Sequence, residues 1–182
     1  MSRALLFLGV MLWAGIAQAA EPAPPSCKQR YEELTPLVMR MQYREFDQSE
    51  AGWRKLSDCP AEASLLLKRY LARTEYEARN LRWHLSQTLA MSGDAAAAIT
   101  AAEQSRDPPE IERSTQFRWN IYVDATLAFL RRDRAAFNTQ REALRNAAVA
   151  HPENLNNLAV LDRLASCFDQ PYKQAYVCVD GR

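Results

Sequence analysis

The stretch of sequence that decides the fold is "LRWHLSQTLAMSGDAAAAITAAEQSRDPP", residues 81–109. Two segments with a helical spacing of apolar residues are separated here by Gly93-Asp94 and followed by a double proline. Glycine is favoured just after the end of a helix, aspartate caps the start of the next helix, and proline prevents that helix from continuing. The stretch therefore predicts a helical hairpin.

A second stretch, "WNIYVDATLAFLRRDRAAFNTQREAL" (residues 119–144), has the same design. A spacing of 38 positions aligns the two, pairing Leu81 with Trp119 and Leu89 with Leu127. Neither hairpin can bury its apolar face alone, and a fixed period of this size is typical of stacked helical repeats. A single helical bundle without repeats remains the alternative.

The composition of the remaining chain also favours helices. Residues 20–182 contain three glycines and nine valines plus isoleucines, whereas alanine, leucine, arginine and glutamate are abundant. Such a composition predicts an all-α fold. Apolar spacing and cap residues predict eight or nine helices, over about 28–41 (with Pro36 inside), 44–56, 60–71, 76–92, 94–107, 111–131, 133–150 and 155–167, then a short turn at "QPYKQAY".

The two aligned stretches resemble tetratricopeptide repeats, in which an apolar helix, a Gly-Asp turn and an alanine-rich helix follow one another. "LTPLVMRMQYREFDQSEAGWRKL", residues 34–56, is a weaker third match. The second copy departs from the pattern at Arg132, where glycine is usual, and at Gln140, where an apolar residue is usual. The resemblance implies stacked antiparallel hairpins in a tetratricopeptide-like solenoid.

A further resemblance is to exported bacterial proteins that contain such repeats. It is carried by "YVDATLAFLRRDRAAF" and by "NLNNLAVLDRLASCFDQPYKQAY". This resemblance implies a periplasmic location and no particular activity.

The N-terminus has the pattern of a secretory signal peptide. Arg3 precedes the apolar run Ala4–Ile16, and "AQA" follows as a small-residue cleavage site. The run is shorter than the roughly 18 to 20 residues that a membrane span needs, although an uncleaved anchor remains the alternative. We expect a signal peptide over 1–19, a proline-rich leader over 20–27 and a single helical repeat domain over 28–182, without a transmembrane anchor after cleavage.

The charge of the chain is close to neutral. The formal net charge is +1, and removal of Arg3 with the signal peptide brings it to zero. A neutral balance offers no electrostatic attraction for nucleic acid. We therefore expect no nucleic acid as a partner, whereas the repeat resemblance implies a protein or peptide.

The four cysteines of an exported chain predict disulfides, for which three pairings are possible. If residues 28–56 form a hairpin that turns at "QYR", its open ends bring Cys27 close to Cys59. Cys178 follows a proline-containing link that can fold back onto Cys167. We therefore predict the pairs Cys27–Cys59 and Cys167–Cys178.

No motif for a metal or a cofactor stands out. The sequence contains no CxxC pair, and its two histidines, His84 and His151, are far apart in the chain. The acidic residues Glu32, Glu33, Glu75 and Glu77 could suggest the carboxylate pair of a glycosidase, but their spacing is that of ordinary solvated helix faces. We therefore expect no cofactor and no enzyme activity.

Candidate binding residues follow from the repeat resemblance, because the first helix of each such repeat lines a concave face that holds peptides. The matching positions are Asn80, Trp83 and Gln87 in the helix over 76–92, and Arg118 and Tyr122 in the helix over 111–131. Arginine can bind a carboxylate through two hydrogen bonds, and exposed aromatic rings anchor interfaces. Alternatively, Trp83 and Tyr122 fill the space between helices.

Together these observations predict a non-catalytic periplasmic module that binds or scaffolds proteins or peptides in the cell envelope. The alternative is a small exported enzyme, or an enzyme inhibitor, that acts on an envelope polymer. A concave polar groove favours the first, and buried paired carboxylates in a closed pocket favour the second.

Export predicts a defined mature N-terminus. Cleavage after "AQA" should leave a chain that begins at or near Ala20, because small residues precede the scissile bond. Intact-mass measurement of protein from a periplasmic fraction checks this. A mass that still includes Met1 would contradict cleavage.

Overall fold

The computed structural model describes residues 24–73 and 79–179, so the predicted signal peptide and the first residues of the leader lie outside the described part. This part is entirely helical and contains no strand, which confirms the all-α fold. The α-helices are α1 Cys27–Val38, α2 Tyr43–Gln48, α3 Pro60–Leu71, α4 Arg79–Ser92, α5 Ala95–Glu103, α6 Pro109–Ser114, α7 Trp119–Leu130, α8 Arg134–Ala150, α9 Leu155–Ser166 and α10 Tyr172–Tyr176, with 3₁₀ helices at Trp53–Leu56 and Pro152–Asn154.

The single helix expected over 44–56 is wrong, because the chain turns after α2. Ser49 Oγ donates to the carbonyl of Glu45 at 2.6 Å and accepts from the Ala51 N–H at 3.2 Å. Gly52 then passes close to α2, where a Cβ would lie 1.9 Å from the Phe46 carbonyl oxygen. Only glycine allows this approach, and it directs the 3₁₀ helix back along α2.

The single helix expected over 111–131 is also wrong, since α6 and α7 are separate. In the link between them, the Phe117 N–H donates to Thr115 Oγ1 at 3.1 Å and the Arg118 N–H donates to Asn154 Oδ1 at 2.8 Å. These side chains replace helical carbonyls as acceptors. No glycine or proline in the sequence marks this break. It depends instead on Asn154, which lies 36 positions away in the chain and reaches Arg118 only in the folded protein.

The two hairpins recognised in the sequence share one turn geometry. Gly93 and Arg132 both have positive φ angles, 92° and 60°. The aspartate that follows each of them donates its N–H to a carbonyl of the preceding helix, at 3.0 Å for Asp94 and 2.9 Å for Asp133, and its side chain caps the next helix. The turns therefore align Gly93 with Arg132. This spacing is one position longer than the 38 positions that align the apolar residues of the preceding helices.

Helices that follow one another in the chain pack against each other. The contacts join α3 to α4, α4 to α5, α5 to α7, α7 to α8 and α8 to α9, while α10 returns to pack on α4 and α9. Small residues such as Ala98 and Ala102, both fully buried, keep α5 close to its neighbours. No described helix combines the length and the apolar character that a bilayer crossing needs.

Both predicted disulfides are confirmed. Cys27 pairs with Cys59 at a Cα–Cα distance of 5.7 Å, and Cys167 pairs with Cys178 at 6.2 Å. The first bond fastens the start of α1 to the start of α3. The second closes the C-terminal loop that carries α10.

The disulfides should differ in how much they stabilise the fold. Replacing Cys27 and Cys59 by serine should lower the free energy of unfolding by about 3 to 4 kcal/mol, because the bond closes a loop of 32 positions. The matched variant Cys167→Ser/Cys178→Ser opens a loop of 11 positions and should lose about 1 kcal/mol less. Urea unfolding measures both losses, and equal or inverted losses would contradict the expectation.

Candidate binding groove

A groove of about 570 Å³ runs across α2, the first 3₁₀ helix, α4, α7, α9 and α10. Residues three and four apart on α4 lie on one helix face, so this single helix supplies a row of lining side chains. The lining consists of Asp47, Gln48, Arg54, Asn80, Trp83, His84, Gln87, Trp119, Tyr122, Asn156, Asn157, Val160 and Tyr176. Four of the five residues expected from the sequence belong to it, namely Asn80, Trp83, Gln87 and Tyr122.

The aromatic residues form the floor of the groove. The Trp83 ring lies 5.1 Å from the Trp119 ring and 4.9 Å from the Tyr122 ring. Trp83 is 4% exposed and Tyr122 is 2% exposed, so both mainly fill the space between α4 and α7. Burial also raises the pKa of Tyr122 well above its usual value. Of the two interpretations of these rings, packing is the one that the structure supports.

Arg118 lies outside the groove lining. Its Nη1 donates to the carbonyls of Glu112 and Thr115, at 3.2 and 3.1 Å, and so stabilises the link before α7. The register of the repeated turns explains this position, because it aligns Arg118 with Arg79 and not with Asn80. Arg79, the first described residue of α4, donates its Nη1 to Asp107 at 2.6 Å.

Asp47, which the sequence did not single out, organises one wall of the groove. Its carboxylate is only 2% exposed. Oδ1 accepts from Trp53 Nε1 at 3.2 Å and lies 3.4 Å from His84 Nε2, while Oδ2 accepts from the Tyr43 hydroxyl at 3.3 Å. Both oxygens are thus occupied by the protein. No local signal marked Asp47, because Trp53 reaches it only after the chain turns at Gly52.

His84 links this wall to the groove floor. Its Nδ1 lies 3.2 Å from Gln87 Oε1, and its ring is 5.1 Å from the Trp53 ring. Burial lowers the pKa of His84, and nearby Arg54 lowers it further, although Asp47 and Gln87 oppose the shift. The neutral imidazole is therefore the form that the fold favours.

Two hydrogen-bond donors in the groove are buried without an acceptor. They are Arg54 Nη1 and Asn157 Nδ2, neither of which has a hydrogen-bond partner in the described part of the chain. Arg54 Nη1 lies 4.0 Å from Asp47 Oδ1, which is too far for a hydrogen bond. Each unsatisfied buried donor costs about 1 to 3 kcal/mol, so their presence on one groove calls for an explanation.

The carboxylates offer little for catalysis at this site. Asp47 is the one carboxylate among the described lining residues, and its oxygens are already bonded. Glu32 and Glu33 are exposed on α1, and Glu75 and Glu77 lie outside the described residues. Cys27 and Cys59 come close to Glu62, but both sulfurs are held in their disulfide and are unable to act as thiolate metal ligands.

The depressed pKa of His84 predicts how stability depends on pH. The contribution of neutral His84 to stability is complete when the pH is above the pKa of this residue in the unfolded chain, near 6.5. It is lost as the pH falls through the lower pKa of the folded protein. Between about pH 7.5 and about pH 5, wild-type protein should therefore lose more stability in urea unfolding than His84→Asn. Equal slopes for wild type and His84→Asn would contradict the expectation.

Comparison with known proteins gave no match, neither to a family model, nor to a curated protein, nor to a solved structure. The function is therefore inferred from the groove itself.

Proposed function

We propose that the protein is a non-catalytic periplasmic module that binds or scaffolds proteins or peptides in the cell envelope, with its groove as the binding site. Its helical hairpins would stack as in a tetratricopeptide-like solenoid and present the groove on their concave face. The observation that carries the proposal is the pair of buried, unsatisfied donors on Arg54 and Asn157. A ligand that brings acceptor oxygens would satisfy both.

The polar lining suits the backbone of a peptide. Five carboxamide side chains line the groove, those of Gln48, Asn80, Gln87, Asn156 and Asn157. Each carboxamide offers a donor and an acceptor, as each peptide group does, so the two can pair with little dependence on the ligand's sequence. The groove volume also lies within the usual range for ligand sites, roughly 300 to 1,000 Å³.

The charges favour a ligand with carbonyl or carboxylate oxygens. Asp47 is buried and its oxygens are occupied by Tyr43, Trp53 and His84. Arg54 Nη1 has no hydrogen-bond acceptor among the described residues and lies 4.0 Å from Asp47 Oδ1, while its guanidinium lies 4.8 Å from the centre of the Trp53 ring. A positioned arginine of this kind forms strong hydrogen bonds with carboxylates.

Two intramolecular disulfides support the proposed location. Such bonds are typical of proteins that fold in an oxidising compartment and are rare in the cytosol. Together with the signal-peptide pattern they favour an exported protein.

The proposal predicts that the two unsatisfied donors serve binding more than stability. Peptides of about 12 residues, which span up to roughly 40 Å when extended, would be selected by phage display on the wild-type protein. Arg54→Met/Asn157→Ala should weaken the selected peptides by at least about tenfold, since hydrogen bonds to charged groups contribute about 1.5 to 3 kcal/mol. Its unfolding free energy should stay equal or rise, because unsatisfied donors are removed.

The matched control is Arg113→Met/Asn138→Ala, at exposed residues on α6 and α8 outside the groove. It should bind the selected peptides with wild-type affinity in fluorescence anisotropy. Failure to enrich any peptide, or equal binding by the groove variant and the wild type, would contradict the proposed function. If the groove variant loses peptide binding as expected, photo-crosslinking from Gln48 in the host would identify the natural partner.

A further inference from the structure

The last helix, α10, completes the groove wall. Tyr176 on this helix lines the groove, and its hydroxyl accepts from Gln87 Nε2 at 3.5 Å. Its carbonyl accepts from Arg163 Nε at 2.9 Å, which connects α10 to α9. The position of Tyr176 therefore determines the shape of this end of the groove.

The α10 helix depends on outside support for its position. It has only five residues, far fewer than an isolated helix needs, and no side chain caps its start at Pro171. Tyr172 buries its ring 5.9 Å from the Phe129 ring, and its hydroxyl lies near the Gln87 side chain without a hydrogen bond of normal geometry to the described residues. Burying that hydroxyl opposes the docking of α10. The Cys167–Cys178 bond offsets this penalty, since it closes the loop that carries the helix.

This disulfide borders a surface cleft through half-buried Cys167, while Cys178 is only 7% exposed. Cys167 and Cys178 both line an open surface cleft of about 790 Å³, next to Asp169 and Gln174. The cleft shares no lining residue with the groove, so a reductant can approach the bond without entering the groove. The other disulfide also joins a half-buried cysteine, Cys27, to a buried one, but Cys59 is 1% exposed and Arg30 Nη1 lies 3.5 Å from its sulfur.

We propose that Cys167–Cys178 is a thiol-exchange site at which a dithiol reductant releases α10 and opens the Tyr176 wall of the groove. A reductant thiolate attacks one sulfur to form a mixed disulfide, and the other cysteine leaves as a thiolate that takes up a proton. The second thiol of the reductant then displaces the remaining cysteine and becomes part of the oxidised, cyclised reductant. In total, two electrons and two protons pass to Cys167 and Cys178. The effect on ligand affinity rests on the proposed function, whereas the release of α10 does not.

The release is tested first without any ligand. Hydrogen exchange of residues 172–178 and trypsin cleavage after Lys173 should both be at least about tenfold faster in Cys167→Ser/Cys178→Ser than in oxidised wild type, because the loop closure is lost. Wild-type protein treated with dithiothreitol should reach the same rates, at the pace at which Cys167 and Cys178 become alkylatable in mass spectrometry.

Two controls separate α10 from general loosening. Dithiothreitol should leave exchange in α10 unchanged in Cys167→Ser/Cys178→Ser, although Cys27–Cys59 remains reducible there. Exchange in α7, which neither disulfide touches, should accelerate only as far as the loss of global stability requires, so residues 172–178 should exchange faster than α7 in every sample that lacks Cys167–Cys178. Unchanged exchange and cleavage in α10 after full reduction of Cys167–Cys178 would overturn the proposal.

The effect on the groove is tested with a peptide selected on the oxidised wild type. Its affinity should fall at least about tenfold in Cys167→Ser/Cys178→Ser and in oxidised Tyr176→Ala, as expected for the loss of one wall contact and its hydrogen bond. If α10 is released and the affinity is unchanged, control of the groove by this bond is refuted. If no peptide binds the oxidised protein, the proposed function fails, and the exchange result alone decides the release.

Discussion

The contact of Trp83 with Trp119 and Tyr122 is the interaction on which the rest of the structure depends, because it joins α4 of one hairpin to α7 of the other. Each hairpin has one apolar face that it cannot bury by itself. The aromatic rings fill the space between α4 and α7, and Trp119 further donates its Nε1–H to the Ser105 carbonyl at 2.7 Å, which ties α7 to the end of α5. The same rings form the floor of the groove, so packing and site share one set of residues.

The walls of the groove consist of buried polar groups, whereas its floor consists of packed aromatic rings. Asp47 is buried with partners for both oxygens, whereas Arg54 and Asn157 are buried with donors that lack acceptors in the described part of the chain. Burying polar groups in this way lowers stability, and proteins commonly accept such a loss where a site must bind. The two disulfides offset it, one at each end of the described chain. The stability that the disulfides add explains how a small domain can keep a groove in which some buried donors lack acceptors.

Much of the local structure was predictable from residues alone. The Gly93-Asp94 turn, the Asp133 cap and the apolar spacing of α4 and α7 are local signals, and they correctly located the two hairpin turns and the ends of α4 and α7 that lead into them. The Cys27–Cys59 pairing was also predicted correctly, although α1 packs on the first 3₁₀ helix and on α3 and not on one continuous second helix. Two breaks were missed, after α2 and before α7. Both depend on contacts, with the Phe46 carbonyl at Gly52 and with Asn154 at Arg118.

The groove shows which features the sequence determines and which depend on the tertiary structure. The sequence by itself determined the all-α fold, the hairpins and the face of α4 that carries Asn80, Trp83 and Gln87, because helical periodicity places these residues on one side. Only the tertiary structure decided that Arg118 stays outside the groove while Asp47, Arg54, Asn157 and Tyr176 complete it. These residues come from segments far apart in the chain, and their proximity results from helix packing and from one-residue differences in register. Local patterns contain no information about either.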